Sequence, residues 1–109
     1  MDEGIPARYT YIWEYHVRPD RVDEFERLYG PQGEWIELFG RSTGYIRTEL
    51  HRDRSQPNRF VTVDHRDSYD AWLDWRAGFA SQFEELDRRG EQLTAEEWEV
   101  GQFYCFTGD

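Results

Sequence analysis

The chain is organised around the segment Tyr9–Val17, which reads YTYIWEYHV. Its odd-numbered positions hold Tyr, Tyr, Trp, Tyr and Val, and they alternate with Thr, Ile, Glu and His. This two-residue period is typical of a β-strand, because successive side chains of a strand point to opposite faces of the sheet. The segment therefore predicts a strand that presents one aromatic face to the protein core.

A helix and two further strands are predicted to follow. Pro19-Asp20 begins a segment whose apolar residues recur at helical spacing, and Pro31 ends it because proline cannot continue the hydrogen-bond ladder. A short second helical piece precedes strand two, Tyr45–Arg52. A polar loop then joins strand two to strand three, Phe60–His65, as a hairpin.

The second half of the chain predicts one long helix and a last strand. Ser68 is a good N-cap for a helix that continues to Arg89, where two arginines and Gly90 supply stop signals. Thr94–Glu97 is interpreted as one solvent-facing turn of helix, and Val100–Phe106 as the last strand.

The predicted order is the ferredoxin-like βαββαβ plan, an α+β fold whose antiparallel four-stranded sheet carries the helices on one face. Strands three and four have apolar residues on both faces, as Phe60 and Val61 illustrate, so they require cover on both sides. Because the helices cover one face only, a homodimer joined through the other face is predicted. The length permits a single domain, residues 9–106, after a polar N-terminal leader, residues 1–8.

The charge of the chain excludes several classes of partner. Lys and Arg total 13 against 23 Asp and Glu, which gives a formal net charge of -10. A chain this acidic repels phosphate backbones and anionic bilayers, so neither nucleic acid nor a membrane is expected as a partner. No apolar stretch has the length of a signal peptide or membrane span, so the cytoplasm is the expected location.

Three segments resemble one known family. Tyr15–Phe25 is similar to the end of strand one and the start of helix one in antibiotic biosynthesis monooxygenase (ABM) domains, where a Val-basic-Pro turn precedes an acidic helix. Gly44–Leu50 resembles their second strand, and Arg59–Trp72 resembles their third strand and the start of helix two. The likeness covers nearly the whole chain, Tyr9–Phe106.

The resemblance implies a dimeric α+β barrel with a pocket between the sheet and the helices of each subunit. Some ABM proteins oxygenate polyketide-type aromatic rings without a metal or cofactor, and some relatives degrade haem. The haem-degrading relatives have an Asn in strand one, a Trp at the end of strand three and a His on helix two. The matching positions here are Trp13 and Arg66, and Ser68–Arg89 contains no His, so haem degradation is disfavoured and no cofactor is expected.

An aromatic set on strand one and helix two is the candidate substrate-binding site. It comprises Tyr11, Trp13, Tyr15, Trp72, Trp75 and Phe79. Such rings line a pocket for a small aromatic molecule, or they form a plain core, since regularly spaced aromatic residues usually pack together. Arg66 favours a pocket, because a cation beside rings would orient a phenolate or carboxylate and stabilise an oxyanion. An ion pair at the end of the strand is the alternative role for Arg66.

The histidines at positions 16, 51 and 65 all lie in predicted strands. If His16 and His65 approach each other on neighbouring strands, with Glu14 close by, they would form a metal site or an acid–base pair. Their long, irregular separations are untypical of metal motifs, and by the resemblance they face the dimer barrel. No metal is therefore expected.

Two functional hypotheses follow. The first is a cofactor-independent monooxygenase, or a related isomerase or cyclase, acting on an aromatic or polyketide-like substrate. In it, Trp13 and Trp72 shape the pocket, Arg66 stabilises the anion formed by deprotonation, and Tyr15 relays a proton. The second is a non-catalytic ligand-binding or structural homodimer of the same fold. A cavity of roughly a few hundred cubic ångströms that contains Arg66 favours the first hypothesis, and a filled core favours the second.

Overall fold

A computed structural model describes residues 8–106, and their helices and strands follow the predicted βαββαβ order. The elements are β1 (Arg8–Val17), a 3-10 turn (Pro19–Arg21), α1 (Val22–Tyr29), α2 (Glu34–Phe39), β2 (Tyr45–Arg52), β3 (Arg59–Arg66), α3 (Tyr69–Gly78), α4 (Ala80–Glu91) and β4 (Thr94–Cys105). All strand pairs are antiparallel, and the order across the sheet is β2-β3-β1-β4. The ferredoxin-like α+β prediction is confirmed, with β1 in an interior position of the sheet.

The first three strands begin and end close to their predicted positions, and β2 agrees to the residue. The polar leader was expected to include Arg8, but this residue begins β1 and pairs with Cys105 of β4. Residues 1–7 of the predicted leader lie outside the described residues.

The single helix predicted for Ser68–Arg89 is wrong, because the chain forms two helices there. Ser68 is the N-cap as expected, and its hydroxyl oxygen accepts a hydrogen bond from the Ala71 amide at 3.1 Å. At Phe79 the backbone leaves the helical region, with φ of −122° and ψ of 32°, and α4 follows as a separate helix. The apolar spacing continues through the break, but Gly78, the last residue of α3, is of a type that often marks a helix end.

The helical turn predicted for Thr94–Glu97 is also wrong, because β4 begins at Thr94. Val17 pairs with Thr94, and Tyr15 pairs with Glu97. The stretch pairs with β1 apart from an irregularity at Ala95, and this pairing outweighs the local preference of Thr and Glu for a helix start. As a consequence, Glu97 lies beside Tyr15 on the sheet face that carries the helices.

The core is one layer between the sheet and the helices. Phe25 and Phe60 are buried at 0% and 1% exposure, with ring centroids 5.0 Å apart. Tyr15 packs against Phe25 with a centroid distance of 5.1 Å. The aromatic face predicted for β1 is therefore turned towards this layer, and each ring removes a large apolar area from water.

The opposite face of the sheet carries apolar side chains that no helix covers within residues 8–106. Ile12, Val61 and Val63 are half-buried in its centre, and Trp98 and Phe103 of β4 are 40% and 43% exposed. Exposed apolar side chains that lie together on one face are typical of an association surface.

His16 and His65, weighed above as a metal site or an acid–base pair, lie far apart on the sheet. On β1, His16 pairs with Arg59 of β3, whereas His65 pairs with Thr10. Six residues of extended chain separate these positions, which corresponds to about 20 Å. Within residues 8–106, no group of three or more His, Cys, Asp or Glu side chains is arranged to hold a metal ion. Over the same range, no helix has both the length and the apolar character that a membrane crossing requires.

Candidate functional site

A cleft opens between the aromatic face of the sheet and the helices. Eight of its lining residues are aromatic, and the others are two threonines and three acids. They are Tyr11, Trp13, Tyr15, Tyr29, Trp35, Phe39, Thr48, Thr62, Asp64, Trp72, Phe83, Asp87 and Glu97. The void is about 540 Å³ including its open mouth, but the cavity itself is only about 60 Å³. The cleft is therefore a narrow slot, a shape that suits a flat molecule.

Strand β1 forms the floor of the slot, because its alternating rings share one face. Tyr11 and Trp13 are stacked with centroids 6.2 Å apart, and Trp13 and Tyr15 are stacked at 6.4 Å. Trp72 of α3 meets Tyr11 edge to face at 4.8 Å and forms part of the wall. These four residues were predicted from the sequence as site residues, and the fold brings them together at the slot.

A buried carboxyl group, Asp64, lies in the lining of the slot. Asp64 is 9% exposed, and its Oδ1 accepts a hydrogen bond from Thr48 Oγ1 at 2.5 Å. The Tyr45 hydroxyl donates in turn to Thr48 Oγ1 at 2.9 Å. Burial raises the pKa of Asp64 to about 6, against the opposing effects of the Thr48 hydrogen bond and the nearby Arg66 cation. A buried carboxylate with this pKa, in the lining of an aromatic slot, has the properties of a general base near neutral pH.

Arg66 lies behind the wall of the slot and does not line it. It is 1% exposed, and its guanidinium carbon lies 4.7 Å from the Phe39 ring centroid and 5.1 Å from that of Trp72. The rings of Tyr45 and Trp75 complete this cage at 5.4 and 5.2 Å. Within residues 8–106, none of its three side-chain nitrogens has a hydrogen-bond partner.

Arg66 belongs to the core, although it is charged and is the last residue of β3. Its position two residues after Asp64 places both side chains on the same sheet face. Burial lowers the pKa of Arg66, and the charge of Asp64 opposes this effect. The alternative role for Arg66 was an ion pair at the end of the strand. Among the described residues Arg66 forms no such pair, and its guanidinium is surrounded by the faces of aromatic rings.

The remaining predicted site residues lie at different depths. The Tyr15 hydroxyl is hydrogen-bonded to Thr62 Oγ1 at 3.1 Å, and burial raises its pKa well above the ordinary value, so it remains a neutral phenol. Trp75 is 3% exposed and stacks on Trp72 at 5.3 Å, and Phe79 stacks on Trp75 at 6.0 Å. Trp75 and Phe79 do not line the slot, and they support its wall from behind.

A second acidic group lies in the lining, contributed by Asp87 of α4 and Glu97 of β4. Burial raises the pKa of both carboxyls, and the negative charge of Glu91 raises each of them further. The Thr94 hydroxyl donates to Glu97 Oε1 at 3.1 Å. The nearby Tyr29 is 5% exposed, and burial together with the charge of Glu97 raises its pKa.

Sequence reasoning did not single out Asp64, Asp87 or Glu97 as site residues. The sequence does contain a signal for Asp64, because this residue and Arg66 alternate onto the buried face of a predicted strand. An acid on such a face is uncommon without a partner or a function. Asp87 and Glu97 carry no such signal, because both lie in acid-rich segments that resemble a solvated surface.

Solved structures similar to this chain share its fold over almost its whole length. SnoaB, a cofactor-independent oxygenase from Streptomyces nogalater, is 21% identical, with a TM-score of 0.75 over 94% of this chain and 96% of its own. A Nitrosomonas europaea protein provisionally named an antibiotic biosynthesis monooxygenase is 16% identical, with a TM-score of 0.76 over 92% and 91%. One from Bordetella bronchiseptica with the same provisional name is 22% identical, with a TM-score of 0.75 over 93% and 99%.

No curated protein is significantly similar to this chain in sequence. The family model of antibiotic biosynthesis monooxygenases, by contrast, matches residues 8–85, which is more than half of the 109 residues. The chain therefore belongs to the antibiotic biosynthesis monooxygenase family.

Proposed function

We propose that the protein is a cofactor-independent monooxygenase that binds a flat aromatic or polyketide-like molecule in the slot and deprotonates it with Asp64. The observation that carries this proposal is a buried carboxylate with a pKa of about 6 in the lining of an aromatic cleft. Membership of the family and the common fold with SnoaB, a cofactor-independent oxygenase, support the reaction class.

The reaction begins when Asp64 removes a proton from an acidic CH₂ group flanked by aromatic rings. The carbanion passes electrons to dioxygen, and a C–O bond forms to give a hydroperoxide after protonation. Loss of the second C–H proton and cleavage of the O–O bond then release water and leave a ketone. In balance, CH₂ and O₂ become C=O and H₂O, so dioxygen is the only oxidant required.

The predicted site residues have separate roles in this scheme. Tyr11, Trp13 and Trp72 hold the flat substrate between ring faces. The neutral Tyr15 phenol, with its Thr62 partner, relays the proton that the peroxide needs. Arg66 stabilises the developing anion through its charge from behind the Phe39 and Trp72 rings, and direct contact with the substrate is not required.

The test is oxygen uptake with anthrone, a tricyclic ketone that has an acidic CH₂ group, measured against an enzyme-free blank. Asp64→Asn keeps the volume of the side chain and removes the base, so the rate is expected to fall by at least about a hundredfold. Asp74→Asn, an exposed site on α3, is the matched control and should retain the wild-type rate. Wild-type turnover by Asp64→Asn would contradict the assignment of the base.

The narrowness of the slot favours one alternative, a ligand-binding protein without turnover. Arg66 does not line the slot, and the slot is narrow for a cavity in which a substrate reacts. This alternative predicts that aromatic ligands quench the fluorescence of the slot tryptophans while wild-type protein consumes no oxygen.

We also infer a homodimer that joins two copies through the sheet face opposite the helices. The inference rests on the exposed Trp98 and Phe103 and on the half-buried Ile12, Val61 and Val63 on that face. Burying two such faces against each other removes apolar area from water in both copies at once.

A further inference from the structure

Two hydroxyl groups connect the buried Asp64 carboxyl with a residue outside the slot. The Tyr45 hydroxyl donates a hydrogen bond to Thr48 Oγ1 at 2.9 Å, and Thr48 Oγ1 donates to Asp64 Oδ1 at 2.5 Å. Thr48 and Asp64 belong to the lining of the slot, and Tyr45 does not. The three side chains therefore form a continuous hydrogen-bonded chain that begins in the slot and ends outside its lining.

The outer end of this hydrogen-bonded chain lies at an edge of the sheet. Within residues 8–106, β2 pairs with β3 alone, so it is an edge strand. Tyr45 is the first residue of β2 and is partly exposed, whereas Asp64 is 9% exposed. Solvent therefore reaches the residue at one end of the hydrogen-bonded chain, while the carboxyl group at the other end is buried.

An irregularity in β2 places Tyr45 on the same sheet face as Thr48. In a regular strand, residues three positions apart point to opposite faces. Tyr45 pairs with Arg66, and Arg47 pairs with the residue just before Arg66, so β2 has one extra residue between these two pairs. The extra residue reverses the alternation and brings the Tyr45 hydroxyl to Thr48. Bulges of this kind often re-aim a side chain next to an active site.

The charge of Arg66 acts on the outer end of the hydrogen-bonded chain. Its guanidinium carbon lies 5.4 Å from the Tyr45 ring centroid. Within residues 8–106 its side-chain nitrogens have no hydrogen-bond partner, so no carboxylate neutralises the cation by direct contact. Burial raises the pKa of Tyr45, and Arg66 opposes this rise because a cation favours the phenolate. A proton can therefore leave Tyr45 first and be replaced from Thr48, and no excess positive charge has to pass Arg66.

We propose that Thr48 and Tyr45 form a proton relay between Asp64 and solvent, through which the protein exchanges the CH₂ protons of its substrate with water when oxygen is absent. The inference rests on the proposed function in one respect, namely that Asp64 is the base. The reaction with oxygen does not need the relay for its balance, because both CH₂ protons end in the water that it forms. The relay therefore adds a second activity to the same site.

The exchange begins when the Asp64 carboxylate takes a proton from the CH₂ group and leaves a carbanion. The Tyr45 hydroxyl gives its proton to water, the Thr48 hydroxyl gives its proton to Tyr45, and Asp64 gives the substrate proton to Thr48. The same steps in reverse bring a solvent proton to Asp64, which returns it to the carbanion. In D₂O the balance is that C–H and D₂O become C–D and HOD, so no oxidant takes part.

The experiment measures deuterium uptake by anthrone in D₂O under nitrogen, by mass spectrometry and above the enzyme-free rate. Oxygen uptake is measured in air in the same buffer, and the ratio of the two rates cancels a general loss of activity. Tyr45→Phe removes only the hydroxyl and should lower this ratio at least about tenfold. Thr48→Val should lower it likewise, and Thr48→Ser, which keeps the hydroxyl, should restore it. Tyr104→Phe, at an exposed site on β4, is the matched control and should keep the wild-type ratio.

The outcomes separate the relay from the proposed function. Wild-type protein that consumes oxygen but takes up no deuterium overturns the relay alone, and so does a wild-type ratio in Tyr45→Phe. A Thr48→Ser ratio as low as that of Thr48→Val also overturns the relay, and this pair serves as the test if Tyr45→Phe does not fold. Deuterium uptake without oxygen consumption supports the relay and contradicts the oxygenation. The absence of both activities, or deuterium uptake that Asp64→Asn retains, overturns the relay and the proposed base together.

Discussion

Replacing Asp64 with Asn is expected to stabilise the protein at neutral pH. A carboxyl group whose pKa is raised by folding binds protons more tightly in the folded state, so stability falls as pH rises through the interval between the two pKa values. For Asp64 this interval runs from 3.8 to about 6. The difference corresponds to about 3 kcal/mol of lost stability above pH 6, and to none below pH 4.

Asp64→Asn removes this pH-dependent cost, since the amide is never ionised and its oxygen still accepts from Thr48. The free energy of unfolding, measured with urea at pH values from 4 to 8, should therefore rise in the variant relative to wild type only as pH increases. The gain should reach about 3 kcal/mol by pH 7, a large fraction of the stability of a small domain. Asp74→Asn is the control and should give a difference near zero at every pH.

A gain that is absent, or that is the same at pH 4 and pH 8, would refute the reasoning, because a buried carboxylate would then carry no desolvation cost.

The ionisation of Asp64 also sets how the activity of the proposed base depends on pH. The value of kcat/KM should rise with pH and level off above about pH 6, as Asp64 loses its proton. A stabilising substitution that abolishes turnover is the expected signature of a residue kept for function.

Four further outcomes are expected. Thr48→Val removes the hydroxyl that donates to Asp64 and should move the rising limb of the kcat/KM profile to higher pH. Arg66→Ala should lower the free energy of unfolding by about 2–4 kcal/mol in urea, whereas Arg66→Met, which keeps the volume and removes a buried cation, should remain near wild type. Trp72→Ala should cost about 3 kcal/mol, the low end for a Trp because the side chain is only half-buried, and should weaken the binding of flat aromatic ligands, because this ring is part of both core and wall. Wild-type protein should sediment at micromolar concentration near twice 13.2 kDa, Val63→Glu should sediment as a monomer, and a monomeric wild type would contradict the dimer.

Much of the fold follows from local patterns. The alternation in Tyr9–Val17 predicted β1 and its aromatic face, and the bounds of β2 were correct, because side-chain period and turn residues are properties of neighbouring positions. The two errors have different causes. The break at Phe79 follows Gly78, a local signal that the apolar spacing on both sides concealed. The early start of β4 at Thr94 depends on strand pairing with β1, which is not local in sequence.

The sequence pattern predicted the aromatic residues of the candidate site better than its acidic residues. Tyr11, Trp13, Tyr15 and Trp72 line the slot because period-two and helical spacing placed them on the faces that meet. Arg66 was identified, but its aromatic cage depends on Phe39 and Tyr45, which come from a separate helix and strand.

By itself, the sequence determined the order of the elements, the aromatic face of β1 and the acidic character of the chain, since each depends on residue type and spacing alone. Only the tertiary structure showed that Asp64, Asp87 and Glu97 line one slot, and that Arg66 is separated from this slot by aromatic rings. The reason is that burial and proximity depend on contacts between β3, α4 and β4, whose residues are far apart in the chain. The same burial gives Asp64 the pKa on which the proposed chemistry depends.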